Sequence, residues 1–277
     1  MCCFSGPADA SNTKIFARHD GIGGQFIVYQ MDYASASAIS MILPLPVSDH
    51  SEDAVEFLSL EGYPDLFRDL NECFIPPRLR SKGGPVAAAA GGGMLQVHNV
   101  GAFEASFVPT LDDFDRLDPR FKLPRAIWDQ LPAYADYGFA VFKLRTSDFA
   151  GLERTDNARI RELRERHRPE VTPEPEWMTV HPMAFRFPTR RPDAIYFPTV
   201  HIHDGQVHEQ EEFDHSLYLQ GNAVGRAMVR DLGGEEGTVA HTHVDAKRTN
   251  GIVHNDHRCF RAKVEGLRRN EDIWLAA

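Results

Sequence analysis

The chain has 277 residues, which is long enough for one large domain or two small ones. Hydrophobic residues make up 42% of it and charged residues 25%, a balance typical of a globular protein that buries a substantial core. The formal net charge of -10 argues against a nucleic-acid partner, because binding to phosphates requires a basic surface.

The sequence carries no signal for membrane insertion or export. No stretch is long and apolar enough to cross a bilayer, and the first residues lack the basic start and apolar core of a signal peptide. The four cysteines, Cys2, Cys3, Cys73 and Cys259, form no C-x-x-C pattern. We therefore expect a cytoplasmic protein that binds neither nucleic acid nor membrane.

The first third of the chain is predicted to begin with three strands and to continue with two helices. The segments 14–18, 25–33 and 38–45 are rich in β-branched, aromatic and aliphatic residues. The segment 51–74 then changes to a helical pattern, in which Ser51 is a suitable N-cap and Pro64 begins the second helix.

The middle of the chain contains two segments of unusual composition. The segment 76–93 includes Pro-Pro, Gly-Gly, an alanine run and Gly-Gly-Gly, which predicts a flexible loop. The segment 152–168 has opposite charges at helical spacing, which predicts an exposed helix, and a proline-rich linker follows up to residue 176. Strands are predicted between and beside these segments, at 94–98, 102–108 and 137–144.

The remaining chain is predicted to be mainly β, over 178–187, 195–220 and 238–274. Sequential strands joined by short turns favour antiparallel pairing. The sequence therefore predicts a single α+β domain over 1–277, with a largely antiparallel sheet or sandwich and a few flanking helices.

The most informative motif is the run 200–209, which reads Val-His-Ile-His-Asp-Gly-Gln-Val-His-Glu. The central Asp-Gly is a strong signal for a two-residue β-turn, because both central positions need a positive φ. A hairpin closed by this turn pairs His201 with His208. It also puts His203 on the same face, because side chains alternate along a strand.

Three imidazoles on one face suit a transition metal, and three protein ligands leave a position open for water or substrate. We therefore predict that His201, His203 and His208 bind a metal ion, zinc by default, with iron and copper as alternatives. His241 and His243 form a second H-x-H triplet and are weaker candidate ligands. The alternative is that each histidine makes ordinary hydrogen bonds.

The H-x-H element followed by an acidic residue is similar to the metal-binding motif of cupins. The resemblance covers only a short stretch, and the later glycine–proline–glycine part of that motif is absent from this sequence. It implies a cupin barrel as a minor alternative.

The beginning of the chain resembles choloylglycine hydrolases and penicillin V acylases. The resemblance rests on the Met1-Cys2 start and on the segment Phe-Ala-Arg-His-Asp that ends at Asp20. It implies that Cys2 is the nucleophile after removal of Met1, that Arg18 stabilises the thiolate, and that Asp20 holds the α-amine. Asp20 is one residue closer to Arg18 than in the family pattern, and the asparagines of the oxyanion hole are not identified.

A third resemblance spans most of the chain. The Cys-Cys start, the segment Met-Ile-Leu-Pro-Leu-Pro-Val and the segment Phe-Pro-Thr-Val-His-Ile-His-Asp-Gly are similar to parts of bacterial proteins of unassigned function. This resemblance favours a single unit and implies no activity.

These observations lead to three functional hypotheses. The first is a metal-binding protein, which is a metal-dependent enzyme if the ion acts on a small-molecule substrate. The second is an N-terminal cysteine amidohydrolase with Cys2 as nucleophile. The third is a non-catalytic binding or assembly protein. The sequence indicates neither the substrate nor the oligomeric state.

Overall fold

Strands are the main secondary structure of the described residues. Four of the predicted features lie wholly or mostly outside the described residues, namely the loop at 76–93, the strand at 94–98, the helix and linker at 152–176, and Cys2. The computed structural model describes residues 3–75, 98–100, 103–144 and 177–276.

Fifteen strands are present in these described ranges. They are β1 (Cys3–Phe4), β2 (Asp9–His19), β3 (Gly24–Ala34), β4 (Ile39–Leu45), β5 (Glu56–Ser59), β6 (His98–Val100), β7 (Phe103–Val108), β8 (Gly138–Leu144), β9 (Met178–Thr179), β10 (Met183–Pro188), β11 (Ala194–Phe197), β12 (Gln210–Gln220), β13 (Glu235–Val239), β14 (Arg258–Arg269) and β15 (Ile273–Ala276).

The larger sheet has eight strands in the order β13-β14-β12-β2-β3-β10-β5, and β9 pairs with β3 beside β10. Its described ladders are antiparallel except that between β2 and β12, which is parallel. The central strand β3 is buried along almost its whole length, because it carries apolar side chains on both faces.

The second sheet has five strands in the order β1-β4-β8-β7-β6, all antiparallel. A two-stranded sheet of β11 and β15 completes the β structure. The two large sheets share one core, in which the ring of Phe142 from the five-stranded sheet lies 5.8 Å from that of Phe185 in the eight-stranded sheet. The prediction of a largely antiparallel β arrangement in a single domain is confirmed.

Helices are few and short in the described residues. The helix α1 (Leu66–Glu72) buries Leu66, Phe67 and Leu70, and α2 (Arg125–Trp128) is a single turn. The longest is α3 (Asn222–Leu232), which ends where Gly233 adopts a left-handed φ of 63° and donates its cap hydrogen bond. Five 3-10 helices lie at Leu111–Arg116, Pro119–Phe121, Pro132–Tyr134, Ala240–Thr242 and Ala246–Thr249.

The structure corrects the prediction of two helices within 51–74. The second helix is present as α1, but part of the first is the strand β5, which pairs with β10 at the edge of the eight-stranded sheet. Ladder hydrogen bonds to β10 override the weak helical spacing of this short segment. The helix α3 is not predicted by the sequence analysis.

One partly buried carboxylate positions the segment that carries the histidine motif. Asp272 precedes β15 and accepts hydrogen bonds from the backbone amides of Thr199 (2.7 Å) and Val200 (2.9 Å) and from the hydroxyl of Tyr196 (2.6 Å). Burial raises the pKa of Asp272, while these donors oppose that rise.

The same segment is held on its other side by Asn270 and by β1. The side chain of Asn270 accepts from the amide of His201 (2.7 Å) and donates to its carbonyl (2.8 Å). The carbonyl of Ile202 accepts from the amide of Phe4 (2.9 Å), so residues 201–203 lie along the edge of the five-stranded sheet.

In the described part of the chain, no helix combines the length and apolar character that a membrane span requires.

We expect Asp272→Ala to lower the free energy of unfolding by about 3–5 kcal/mol, because the amides of Thr199 and Val200 lose their acceptor in a buried segment. Urea denaturation measures the change. The exposed neighbour Glu271 provides the control, since Glu271→Ala should cost less than about 0.5 kcal/mol. A loss below about 1 kcal/mol for Asp272→Ala would contradict the role assigned to this carboxylate.

Candidate functional site

The predicted hairpin at 200–209 does not form, although its turn does. Gly205 has a φ of 77°, and the amide of Gln206 donates to the side chain of Asp204 (3.0 Å). The arms do not pair in the described ladders, because β1 and Asn270 already take the backbone groups of residues 201–203. The predicted pairing of His201 with His208 is therefore wrong.

His208 lies apart from the other two predicted ligands. Its side chain is 44% exposed, and its Nε2 lies 3.0 Å from the carboxylate of Asp204. This hydrogen bond raises the pKa of His208 above its ordinary value. The contact between His208 and Asp204 is local, because the turn brings these two residues together.

A different histidine joins His201 and His203. His215, in β12, has its ring 5.2 Å from that of His201, and His203 lies 5.4 Å from His201. The three rings are nearly parallel, with interplanar angles of 8° and 10°. Phe213 (4.4 Å from His201) and Phe4 (5.5 Å from His203) add aromatic contacts. We call His201, His203 and His215 the histidine stack.

The alternation of β12 explains why His215 belongs to this cluster. Phe213, His215 and Leu217 alternate with more exposed neighbours, so they share the buried face of the strand. The sequence signal for this placement is a histidine at a position where the alternation of the strand calls for an apolar residue.

The histidine stack is uncharged at neutral pH. Burial lowers the pKa of all three histidines, to about 3 for His203 and well below the ordinary value for His201 and His215. Both ring nitrogens of His201 and the Nε2 of His203 are buried and make no hydrogen bond within the described part of the chain. Such buried polar atoms are uncommon and costly.

The histidine stack does not fit the predicted metal site with three ligands. A histidine binds a metal through a lone pair in its ring plane, at about 2.0–2.1 Å for zinc. Stacked parallel rings direct these lone pairs along separate planes, so an ion bound to one ring lies outside the plane of the next. Among the described residues, no group of three histidine, cysteine, aspartate or glutamate side chains is arranged to hold a metal.

His241 and His243 lie away from the stack, at a 3-10 helix that begins at Ala240. The Nδ1 of His241 lies 3.2 Å from the carbonyl of Asn255 and 3.6 Å from the carboxylate of Asp256. Both histidines line a surface cleft beside α1. The H-x-H spacing does not put them on one strand face, because the segment is helical rather than extended.

Arg18 and Asp20 have structural partners in the eight-stranded sheet and its loops. Arg18 donates to the carbonyls of Ile252 (2.6 Å) and Gly251 (2.5 Å). One oxygen of Asp20 accepts from the amides of Ile22 and Gly24, both at 2.8 Å, and the other pairs with Arg186.

The proposed nucleophile itself, Cys2, lies outside the described residues, so its role stays a prediction. Its neighbour Cys3 is buried in β1, with its sulfur 4.0 Å from the carbonyl of Val200. Cys3 pairs with β4 in the five-stranded sheet, whereas Arg18 and Asp20 belong to the other large sheet and its turn.

Among known proteins, only solved structures show similarity to this chain. No family model and no curated protein matches the chain. A crystal structure of baculovirus P35 aligns with 100% of this chain and 99% of its own, at 10% identity and a TM-score of 0.47. The structure of a caspase-8/P35 complex aligns over 96% of both chains, at 10% identity and a TM-score of 0.40. We draw no functional conclusion from likeness at this level.

The burial of the histidine stack predicts a specific pH dependence of stability. An unfolded histidine has a pKa of about 6.5, and the folded pKa values are lower, so the folded state binds fewer protons. This contribution to stability is fully present above pH ~6.5 and is lost as the pH falls towards the folded values. Each such histidine adds a slope of about 1.4 kcal/mol per pH unit.

We expect His201→Phe to make the free energy of unfolding fall less steeply with decreasing pH. Between pH ~5.5 and ~4 the slope should be smaller by about 1.4 kcal/mol per pH unit, the contribution of one histidine. The exposed His208 is the control. Its pKa is raised, so His208→Asn should remove a small contribution of opposite sign, one that is present below pH ~6.5 and lost at higher pH. Equal acid slopes for the wild type and His201→Phe would contradict a neutral, buried His201.

Proposed function

We propose that this protein is a non-catalytic binding protein that contacts another protein through the turn between β2 and β3. The observation that carries the proposal is the exposure of Ile22, which is 85% accessible to solvent at the tip of this turn. A single exposed isoleucine is common on protein surfaces. The case for Ile22 rests on how firmly the turn beneath it is held.

The turn is held by hydrogen bonds on both sides of Ile22. Asp20 donates its amide to the carbonyl of Gly24 (3.0 Å) and accepts from the amides of Ile22 and Gly24 with one carboxylate oxygen. Arg186, from β10, donates to the other oxygen (2.7 Å). The carbonyl of Gly23 accepts from the amide of Thr189 (3.1 Å), which ties the tip to the chain beyond β10.

The glycines on either side of Ile22 have no side chain that could shield it from solvent. Gly21 and Gly23 have φ values of 87° and 99°, a region that favours glycine. A Cβ at either position would meet no atom within 4 Å, so the tip projects into open space. A rigid apolar side chain loses little conformational entropy when it enters a pocket, which is the advantage of a preorganised anchor.

This proposal also accounts for the residues that the sequence singled out as catalytic. The carboxylate of Asp20 is occupied by turn amides and Arg186, and Arg18 donates to carbonyls at 251 and 252. The side chains of Arg18 and Asp20 therefore hold backbone segments in place. The partner that fits Ile22 is a protein with an apolar pocket of the size of one aliphatic side chain.

Site-specific crosslinking tests the proposal. A photoreactive diazirine amino acid at position 22 should give one discrete protein adduct in cells that produce the chain. Unlabelled wild-type protein should compete for that adduct at least ~10-fold better than Ile22→Ser protein, because burying this side chain is worth about 1.5–3 kcal/mol. The same label at the exposed Leu267 is the control and should not give this adduct.

Stability measurements separate binding from folding in this test. Ile22→Ser should change the free energy of unfolding by less than about 0.5 kcal/mol, because the side chain is exposed. Equal competition by the wild type and Ile22→Ser, with both folded, would refute the role of Ile22. Adducts that are equally abundant from position 267 would also refute it.

Metal binding is a second candidate function, supported by the buried ring nitrogens of His201 and His203 that make no hydrogen bond in the described residues. The nearly parallel rings mean that one of them would have to turn before both bound the same ion. If the bound ion acts on a small molecule, the protein is a metal-dependent enzyme.

Elemental analysis of protein purified without an affinity tag tests this candidate. If it is correct, we expect close to one equivalent of zinc, iron or copper, and a fall of at least ~10-fold in metal affinity in His203→Leu. The exposed His208→Asn is the matched control and should retain the metal. Less than roughly a tenth of an equivalent, with no uptake on reconstitution, would remove the candidate.

A further inference from the structure

A cavity of about 420 Å³ lies between the two large sheets. It is lined by residues of β5, of β7 and of the 3-10 helix Leu111–Arg116, together with the loops that precede β5 and follow β7. We call it the intersheet cleft. Its volume falls in the range of roughly 300–1,000 Å³ that is typical of sites for small molecules.

The more buried part of the lining is apolar. Phe57 from β5 and Phe107 from β7 are half-buried, and both pack against the core that the two large sheets share. The ring of Phe57 lies 5.5 Å from that of Phe142. Val108 and Leu117 extend this apolar surface. A ligand with methylene groups would gain by covering it, because apolar surface is then removed from water.

The more exposed part of the lining is acidic. Glu52, Asp53 and Glu56 are exposed, and Asp113 is half-buried. Arg116 is the one cationic residue of the described lining, and it is already engaged. Its Nη1 lies 2.6 Å from the carboxylate of Glu52 and 3.3 Å from that of Asp113. The intersheet cleft therefore carries an excess of negative charge.

Two of these carboxylates remain available to a ligand. Asp53 and Glu56 form no ion pair with any residue in the part of the chain that the structure describes. Glu56 lies opposite Arg186 in the ladder between β5 and β10, but the guanidinium of Arg186 pairs with Asp20 instead. A cationic ligand would thus meet carboxylates that have no competing partner.

Contacts between the walls hold the intersheet cleft open in one shape. The Nδ1 of His50, in the loop before β5, lies 2.7 Å from the carbonyl of Pro109, which follows β7. The ion pair between Glu52 and Arg116 joins the same loop to the 3-10 helix. A preformed cavity of this kind lowers the conformational cost of binding.

We propose that the intersheet cleft binds a linear aliphatic polyamine, a small molecule in which methylene groups separate ammonium groups. The methylenes cover Phe57 and Phe107, and the ammonium groups pair with Asp53 and Glu56. The faces of the two rings also attract ammonium groups. A small hard cation such as Mg²⁺ fits less well, because it gives up its water reluctantly and gains nothing from apolar surface. This site is independent of the proposed role of Ile22.

Isothermal titration of the folded full-length chain with spermidine tests the proposal. We expect saturable binding that weakens as the NaCl concentration rises, because salt screens exposed ion pairs. The double variant Asp53→Asn/Glu56→Gln should weaken binding at least ~5-fold. The double variant Glu209→Gln/Glu212→Gln removes the same charge from exposed positions at the start of β12, and should bind within ~2-fold of the wild type.

Three other measurements can overturn the proposal. Absence of saturable binding to the wild type, or an equal loss of affinity in both double variants, would show that the intersheet cleft is not the site. Displacement of spermidine by an equal concentration of Mg²⁺ would show a general attraction of cations to the acidic surface. A tetralysine peptide that binds at least ~10-fold more tightly than spermidine would show a site for protein rather than for a small molecule. Urea denaturation midpoints equal to that of the wild type confirm that both double variants are folded.

Discussion

The position of the histidine motif depends on one partly buried carboxylate. Asp272 accepts from the amides of Thr199 and Val200 in a segment that lies outside the named strands. Without this acceptor, those amides would be buried without a partner, which proteins rarely tolerate. Asp272 also binds the hydroxyl of Tyr196, so the same group ties β11, the histidine motif and β15 together.

The histidine stack follows from that constraint. With residues 199–201 held by Asp272 and Asn270, the side chain of His201 enters the core and meets His215 from β12. The result is a set of neutral, parallel rings rather than three converging ligands. Burial therefore changes what these histidines can do, because desolvation disfavours the charged form and stacking separates the directions of their lone pairs.

Much of the β structure could be predicted from the sequence, because its signal is local. The strands β2, β3 and β4 agree with the predicted segments, since their apolar and β-branched runs are bounded by turn residues. The strand β5 could not be predicted, because its four residues are held by β10, which is distant in sequence. The helix α3 was missed, although Gly233 marks its end.

The sequence by itself determined the local elements: the Asp-Gly turn at 204–205, the glycine-flanked turn at Ile22 and the alternation that buries His215. Only the tertiary structure decided which residues meet. Asp20 turned out to hold a turn together with Arg186, and His215 turned out to stack on His201. The reason is physical: turns and alternation depend on neighbours along the chain, whereas convergence of side chains depends on strand order and register.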